Sequence, residues 1–337
     1  MNENSRHPFY EQWDGKPYNS FPVWVKKKYG ERYQKISLDA GFTCPNRDGS
    51  KGVGGCAYCN NRSFTPSYCR SSDDLRRQLS EGIRFFSFRY RRAGKFLGYL
   101  QSYSNTYGSL DELKRIYETV LAYPGIYGLA IATRPDCVDE GILDYLEELS
   151  VNHMIFIEYG MESCYSETLR RVNRGHTFED SVKAIEMTAN RGIHIGVHLL
   201  FGLPGESRQM MLDQAGIISS LPVDTLKMHQ LQVIKGTQLA KQYLENPQSF
   251  DLFTLPEYFD FIARFLQMLD PRIAVQRFFN ETPPRYRIAP DWGLIRSDKL
   301  TIQFEEYMQT RGIWQGQAFS GRIAAPETDE RPALGKP

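Results

Sequence analysis

The chain has 337 residues, 41% of them apolar and 24% charged, an ordinary globular mixture with room for one large α/β domain or one domain and an appendage. Its formal net charge is +1, so no global field draws it to nucleic acid or to a membrane, although a local basic patch could still serve. No stretch approaches the roughly 18 uninterrupted apolar residues of a membrane-spanning helix, and the N-terminal MNENSRHPFYEQW lacks the apolar core of a signal peptide; a cytoplasmic protein without a membrane partner is expected.

In chain order, a first strand is expected at residues 33–38 (YQKISL), followed by a cysteine- and glycine-rich loop and a helix within 73–92. Strands are then expected at 96–103, 127–133, 153–160, 193–202 and 225–234, several of them continuously apolar as in sheets covered on both faces. Helical patterns lie between them. Residues 109–125 carry Ser109 and Glu112 at capping-box spacing, with a Pro–Gly stop. Residues 177–192 begin on Thr177 as N-cap and end before Gly192, and 204–221 read the same way. Strand–helix alternation repeated about six times implies a parallel sheet, because parallel neighbours need crossovers. Periodicity alone leaves an open doubly wound sheet and a barrel both standing; in either, active sites lie at the C-terminal strand ends. The expected division is an N-terminal arm (1–32), the α/β domain (33–242), a C-terminal helical and loop extension (243–319) and a disordered tail (320–337).

The loop CPNRDGSKGVGGCAYC, residues 44–59, carries Cys44, Cys56 and Cys59 among glycines that let a backbone fold tightly around an object. Six cysteines in so long a chain do not make a disulfide scaffold, and clustered thiols in a reducing compartment point to metal. Three readings stand on spacing alone: unconnected thiols, a structural zinc site with Cys69 as fourth ligand, and a [4Fe–4S] cluster on three thiolates with one iron open.

Further motifs follow in order: IATRPD (131–136), IEYGMES (157–163), RVNRGHTFED (171–180) and GVHLLFGLPGES (196–207). With the cysteine loop they resemble the radical S-adenosylmethionine (radical SAM) superfamily, in the branch around the Elongator catalytic subunit and, with the C-terminal extension, the YhcC-like group. The usual C-x3-C-x2-C is stretched here to eleven residues in its first gap, as in that branch. The resemblance implies a partial (β/α)6 TIM-type barrel, a [4Fe–4S] cluster on Cys44, Cys56 and Cys59, and SAM chelating the open iron. Reductive cleavage of SAM would then start radical chemistry.

It also implies SAM-facing roles for Tyr58 in CAYC, for Glu162 and Ser163 in the fourth-strand motif, and for Arg174 on the SAM carboxylate with Arg171 as second choice. Glu162 could instead cap a helix, Arg174 could be a solvated helix residue, and His198 could be a satisfied core histidine. Where many relatives end the second strand in Gly-Gly-Glu, this chain reads QSYSNTYG, leaving Ser104, Thr106 and Gln101 as substitutes for the acid. Arg134 pairs equally well with a nearby surface acid. A lid over the barrel mouth is expected from the extension and the N-terminal arm.

The substrate implied by this branch is a tRNA base or another large molecule, a protein included, and the electron source a flavodoxin or ferredoxin. Three stretches interleave basic and aromatic residues, at 23–35, 88–92 and 277–287, as single-strand binders do, although a solvated basic face gives the same pattern. Acetyl transfer and sulfur insertion are disfavoured, because the chain has no room for an acetyltransferase domain and no cysteine before Cys44. Cys69, Cys137 and Cys164 read as buried thiols. The competing functional reading is a non-catalytic zinc or iron–sulfur module acting through protein or nucleic-acid contacts.

Overall fold

Five of the expected strands form close to their expected limits: β1 (Tyr33–Leu38), β2 (Lys95–Leu100), β3 (Ile126–Thr133), β4 (Met154–Glu162) and β5 (His194–Phe201). The sixth run splits into β6 (Thr225–Gln230) and a two-residue β7 (Val233–Ile234), which leaves the sheet to pair antiparallel with β9 (Arg287–Ala289). One further strand, β8 (Ala274–Arg277), lies inside the stretch expected to hold only loops and helices. The computed structural model describes residues 7–321 except 64, 67, 70, 72, 90–93 and 281, with Arg62, Phe88 and Arg89 described by backbone alone. Of the expected tail, 322–337 fall outside the described residues, as does most of the basic stretch at 88–92.

The main sheet has seven strands in the order β1-β2-β3-β4-β5-β6-β8, all pairs parallel. It curls into a half-barrel whose edge strands β1 and β8 do not pair with each other. The fold is therefore α/β with a partial barrel, as expected, but with seven strands rather than six. Residue 242 does not end the sheet. β8 was illegible because four residues, AVQR, are too few for a period, and its outer edge is completed by the bridge from Ser20 to Val275.

Crossovers run through α2 (Leu75–Arg89), α3 (Leu110–Leu121), α4 (Glu140–Ser150), the short α5 (Ser166–Arg171) with α6 (Phe178–Thr188), and α7 (Arg208–Ser219). They are followed by α8 (Gln238–Glu245), α9 (Leu255–Met268) and α10 (Ser297–Thr310). Strand alternation sends Ile36, Leu100, Ile131, Ile157 and Val197 outward, where they join the apolar faces of α3, α4, α6, α7 and α9 in the largest core. The opposite set, Leu97, Tyr99, Ala132, Met154 and Phe156, points into the barrel and is plugged by Phe21 and Val25 of α1 (Phe21–Tyr29). The N-terminal arm thus closes the end away from the mouth, which corrects the expectation that it helps to cover the mouth.

Thr177 caps α6 with a complete capping box through Asp180, whereas Ser109 accepts from the Glu112 backbone at 3.3 Å without the reciprocal bond. Among the described residues, no helix is long and apolar enough to cross a membrane.

Candidate functional site

Inward positions of β4 climb from Phe156 through Glu158 and Gly160 to Glu162, so the lumen turns from apolar to charged towards the C-terminal strand ends. There a cavity of about 230 Å³ opens, and Cys44, Cys56, Cys59, Tyr58, Glu162 and Arg174 all line it. Ser104, Gln101, Arg134 and His198 line it too. The loop after β1 and the loop before α6 meet over this cavity.

Their meeting is built mostly from backbone. Asn46 Nδ2 donates to the Asn173 carbonyl at 2.5 Å, and Asn173 Nδ2 donates to the Gly55 carbonyl at 2.9 Å. The Ala57 N–H donates to the Val172 carbonyl at 2.8 Å. Gly52 is required for closeness, since a Cβ there would stand 2.2 Å from Asn46 Oδ1. Asn173 takes the left-handed conformation, φ +51°, that turns the chain from α5 to present Arg174.

Arg174 lies at the centre of the site. Its Nη2 donates to the Gly160 carbonyl and stands 3.7 Å from Glu162 Oε1, while Nη1 is 3.4 Å from Cys56 Sγ. A Cβ on Gly160 would come within 2.6 Å of that Nη2, so glycine is what admits the guanidinium. Glu162 follows a register shift on β4 and sits at φ +71°, which aims its carboxylate inward rather than leaving it to cap α5. Burial pushes the Glu162 carboxyl up, and Arg174 holds it back. Arg134 is not paired at the surface: it is 1% exposed, forks onto Asp136 at 2.9 Å through both Nε and Nη2, and donates through Nη1 to the Arg174 carbonyl. Lys51, from the cysteine loop, reaches the same Asp136 at 2.7 Å.

The chemistry of these residues suits a cationic group beside the thiols. Burial, then the neighbouring Cys56, pushes the Cys59 thiol up to about 11, so adjacent thiolates need a compensating cation there. Tyr58 OH and Arg174 Nε are buried without a hydrogen-bond partner among the described residues, and both groups belong to side chains lining the cavity. Cys69 does not join them: its thiol donates to the Ser37 carbonyl at 2.9 Å, beneath the loop. Among the described residues, no three His, Cys, Asp or Glu side chains converge as ligands of one ion, and the four-thiolate zinc site does not form.

Two expected SAM contacts are not brought to the cavity. The Thr106 hydroxyl is spent on Thr133 and the Cys137 carbonyl, both at 2.6 Å. Ser163 is wholly buried and donates to Glu206 while accepting from the Tyr165 N–H, which makes it a turn residue. Arg171 also lies off the cavity, its guanidinium packed against Gly205. His198 lines the cavity but belongs to its floor, with Nε2 3.1 Å from Glu158 Oε2; burial pushes it down to about 4.

That floor was missed from sequence. Glu158 is fully buried and receives the ammonium of Lys227 at 2.5 Å and that of Lys35 on β1. Lys227 also donates to Tyr99 OH at 2.8 Å, and burial drives it down to about 7 even though Glu158 opposes the change. The signal was present as a lone charge in each of three strands otherwise read as apolar: Lys35, Glu158 and Lys227. Only the fold places them in one layer.

Comparison with known proteins gives two family matches. Residues 44–215 match the Radical SAM superfamily and 223–309 match the Radical_SAM C-terminal domain. YtqA of Bacillus subtilis, an uncharacterized protein, is 31% identical over 95% of this chain and 97% of its own length. YhcC of Escherichia coli K12 is 30% identical over 92% and 98%, respectively. A tRNA uridine(34) acetyltransferase of Methanocaldococcus infernus is 32% identical over 61% of this chain but 37% of its own length. Among solved structures, archaeal Elp3 of Methanocaldococcus infernus superposes with a TM-score of 0.61 at 18% identity, covering 84% of this chain and 64% of that one.

Proposed function

This chain belongs to the radical SAM superfamily and is a radical SAM enzyme, and we propose that Cys44, Cys56 and Cys59 hold the family's [4Fe–4S] cluster with SAM beside it, bounded by Arg174, Glu162 and Tyr58. The observation that carries this reading is that those three thiols and the half-satisfied Arg174 line one cavity. When bound, the cluster and SAM supply a carbon radical through one-electron cleavage of a carbon–sulfur bond.

The chain's own residues have separable tasks. Arg174 offers its free Nε–H to an anionic carboxylate and its charge to the Cys56 thiolate. Glu162, whose carboxyl burial pushes up and Arg174 holds back, accepts from hydroxyl or ammonium donors. Arg134 and Asp136 are positioning residues, fixing the carbonyl of Arg174 and, through Lys51, the cysteine loop. Leu200, Leu231 and Ile234 line the same cavity and reduce its access to water.

For the substrate we propose tRNA. The reading is supported by similarity to a tRNA uridine(34) acetyltransferase and by the basic–aromatic stretches at 23–35 and 277–287, which both contribute to one side of the barrel. A flavodoxin or ferredoxin is the proposed electron source.

The deciding experiment is anaerobic reconstitution with iron and sulfide, followed by reduction with SAM and assay for 5′-deoxyadenosine. Wild type and Cys69→Ala should form it, while Cys44→Ala, Cys56→Ala and Cys59→Ala should not. Iron bound as a single ion in wild type, with no 5′-deoxyadenosine, would refute the assignment.

A further inference from the structure

The half-barrel is open along one side, between its edge strands β1 and β8. A second cavity, of about 400 Å³, occupies this seam, with Arg32, Tyr33, Phe85 and Arg296 on its walls. It shares Tyr99, Gln101, Lys227 and Arg277 with the cavity under the cysteine loop. The two cavities therefore adjoin along these four side chains, which mark a route from the side of the protein towards the cysteines.

The charge along this route does not balance. Glu158 is the carboxylate that meets the floor cations, and Lys35 and Lys227 already contact it. Arg277 adds a third cation. It is exposed, and among the described residues its guanidinium has no hydrogen bond or ion pair. Moreover, Lys227 and Arg277 are register partners on adjacent strands, an arrangement in which like charges repel. After burial, the opposing pull of Glu158 and the push of Lys35, Arg277 is the next influence on Lys227, and it too lowers its proton affinity. A cation surplus on neighbouring strands, facing a cavity, is stabilised when a ligand brings the missing negative charge.

We propose that the seam contains an oxyanion subsite, in which the fork of Arg277 and the ammonium of Lys227 take a phosphate group of the substrate and leave its uncharged part beneath the cysteine loop. Arginine suits the task because two parallel N–H donors match a tetrahedral or planar oxyanion. The rim favours a phosphate that belongs to a nucleotide. Phe85 is 46% exposed and Tyr33 half-buried, beside Arg32, so rings and a cation meet at the entrance as they do where bases stack and phosphates are neutralised, while Arg296 on the same wall is already paired with Asp298. The proposal deepens the radical-enzyme reading, which supplies only the direction in which the substrate must reach.

The test compares wild type with Arg277→Gln and Arg277→Lys, all reconstituted, in two low-salt titrations. One follows the anisotropy of a short labelled single-stranded RNA; the other is calorimetry with inorganic pyrophosphate. Arg277→Gln should weaken binding about tenfold, the loss expected for charge-assisted hydrogen bonds, and Arg277→Lys by less. Weakening in the RNA arm, with or without the other, supports a nucleic-acid phosphate; weakening with pyrophosphate alone supports a small phosphate ester in the same subsite. Failure of wild type to bind either probe, or equal affinities in wild type and Arg277→Gln with matched thermal unfolding, overturns the proposal. The radical-enzyme reading is decided independently by 5′-deoxyadenosine from wild type without either probe.

Discussion

The cysteine loop and the seam border one route from two directions and are assembled by opposite means. The loop is held by backbone groups and two asparagines, through short straps to the turn before α6. The seam is made by side chains from β1, β4, β6 and β8 that meet only when the sheet has formed; Lys35 and Glu158 are 123 positions apart. A site contained in one segment carries little of the fold's stability, whereas a buried charge layer across four strands is part of it. Substitution in the first should therefore remove chemistry and leave the fold. Substitution in the second should threaten the fold itself.

The largest expected effect separates the two. Replacing Cys44, Cys56 and Cys59 together with Ala should reduce 5′-deoxyadenosine to background, yet leave the unfolding free energy of the metal-free chain within about 2 kcal/mol of wild type, because each change removes a single sulfur, although Cys44 and Cys56 are buried. A metal-free variant that fails to fold would erase the distinction. Glu158→Gln should do the reverse damage. It leaves Lys35 and Lys227 facing each other in the interior, and stranding buried charges costs about 3–5 kcal/mol. Urea titration of the metal-free protein measures it. A loss below about 1 kcal/mol would show that water already solvates the layer.

The same contrast explains what could be read from the sequence. The cysteine loop, Tyr58, Glu162 and Arg174 are legible because their spacing lies within one loop or motif, and all of them come to the cavity. Ser163 belongs to the same fourth-strand motif but is the neighbour of inward-facing Glu162, so strand alternation turns it away from the cavity to Glu206 and the Tyr165 N–H. The Thr106 hydroxyl marks it as a candidate, but that chemistry says nothing of the neighbouring Thr133 and Cys137 carbonyl that claim it. The strands were legible from their apolar runs, apart from β8, whose four residues bury only two positions, and the three-residue β9. Glu158, Lys35 and Lys227 each look like a blemish in a strand pattern, and their meaning depends on pairing that no single window contains.

A third, smaller effect tests the joint between the two regions. Asp136 is tied to Arg134 and to Lys51 of the cysteine loop. Burial would raise its carboxyl, but the hydrogen bonds and charge of Arg134 prevail and bring it down to about 2 from an ordinary 3.8. A carboxyl lowered by folding stabilises the native state above its unfolded value and ceases to do so as pH falls through the folded value. The contribution is about 2 kcal/mol, present above pH 5 and lost between about pH 4 and pH 2. Asp136→Asn should remove that part of the acid dependence and, by loosening the carbonyl of Arg174, weaken SAM binding. Equal acid profiles for both proteins would detach Asp136 from the joint.

The smallest effect lies one turn further on. Thr177 and Asp180 close a capping box at the start of α6, three residues beyond Arg174. The box fixes where the irregular segment stops and the helix begins. Thr177→Ala should cost about 1 kcal/mol of stability, because one helix donor loses its side-chain acceptor. Since Arg174 is also held by Arg134 through its carbonyl and by the Gly160 carbonyl through its guanidinium, its placement should survive. Thr177→Ser, which retains the hydroxyl, should recover most of the stability. If SAM affinity in Thr177→Ala instead falls as far as in Asp136→Asn, the cap contributes as much as the Arg134 buttress to orienting Arg174, and the loop site is less self-contained than its short straps indicate.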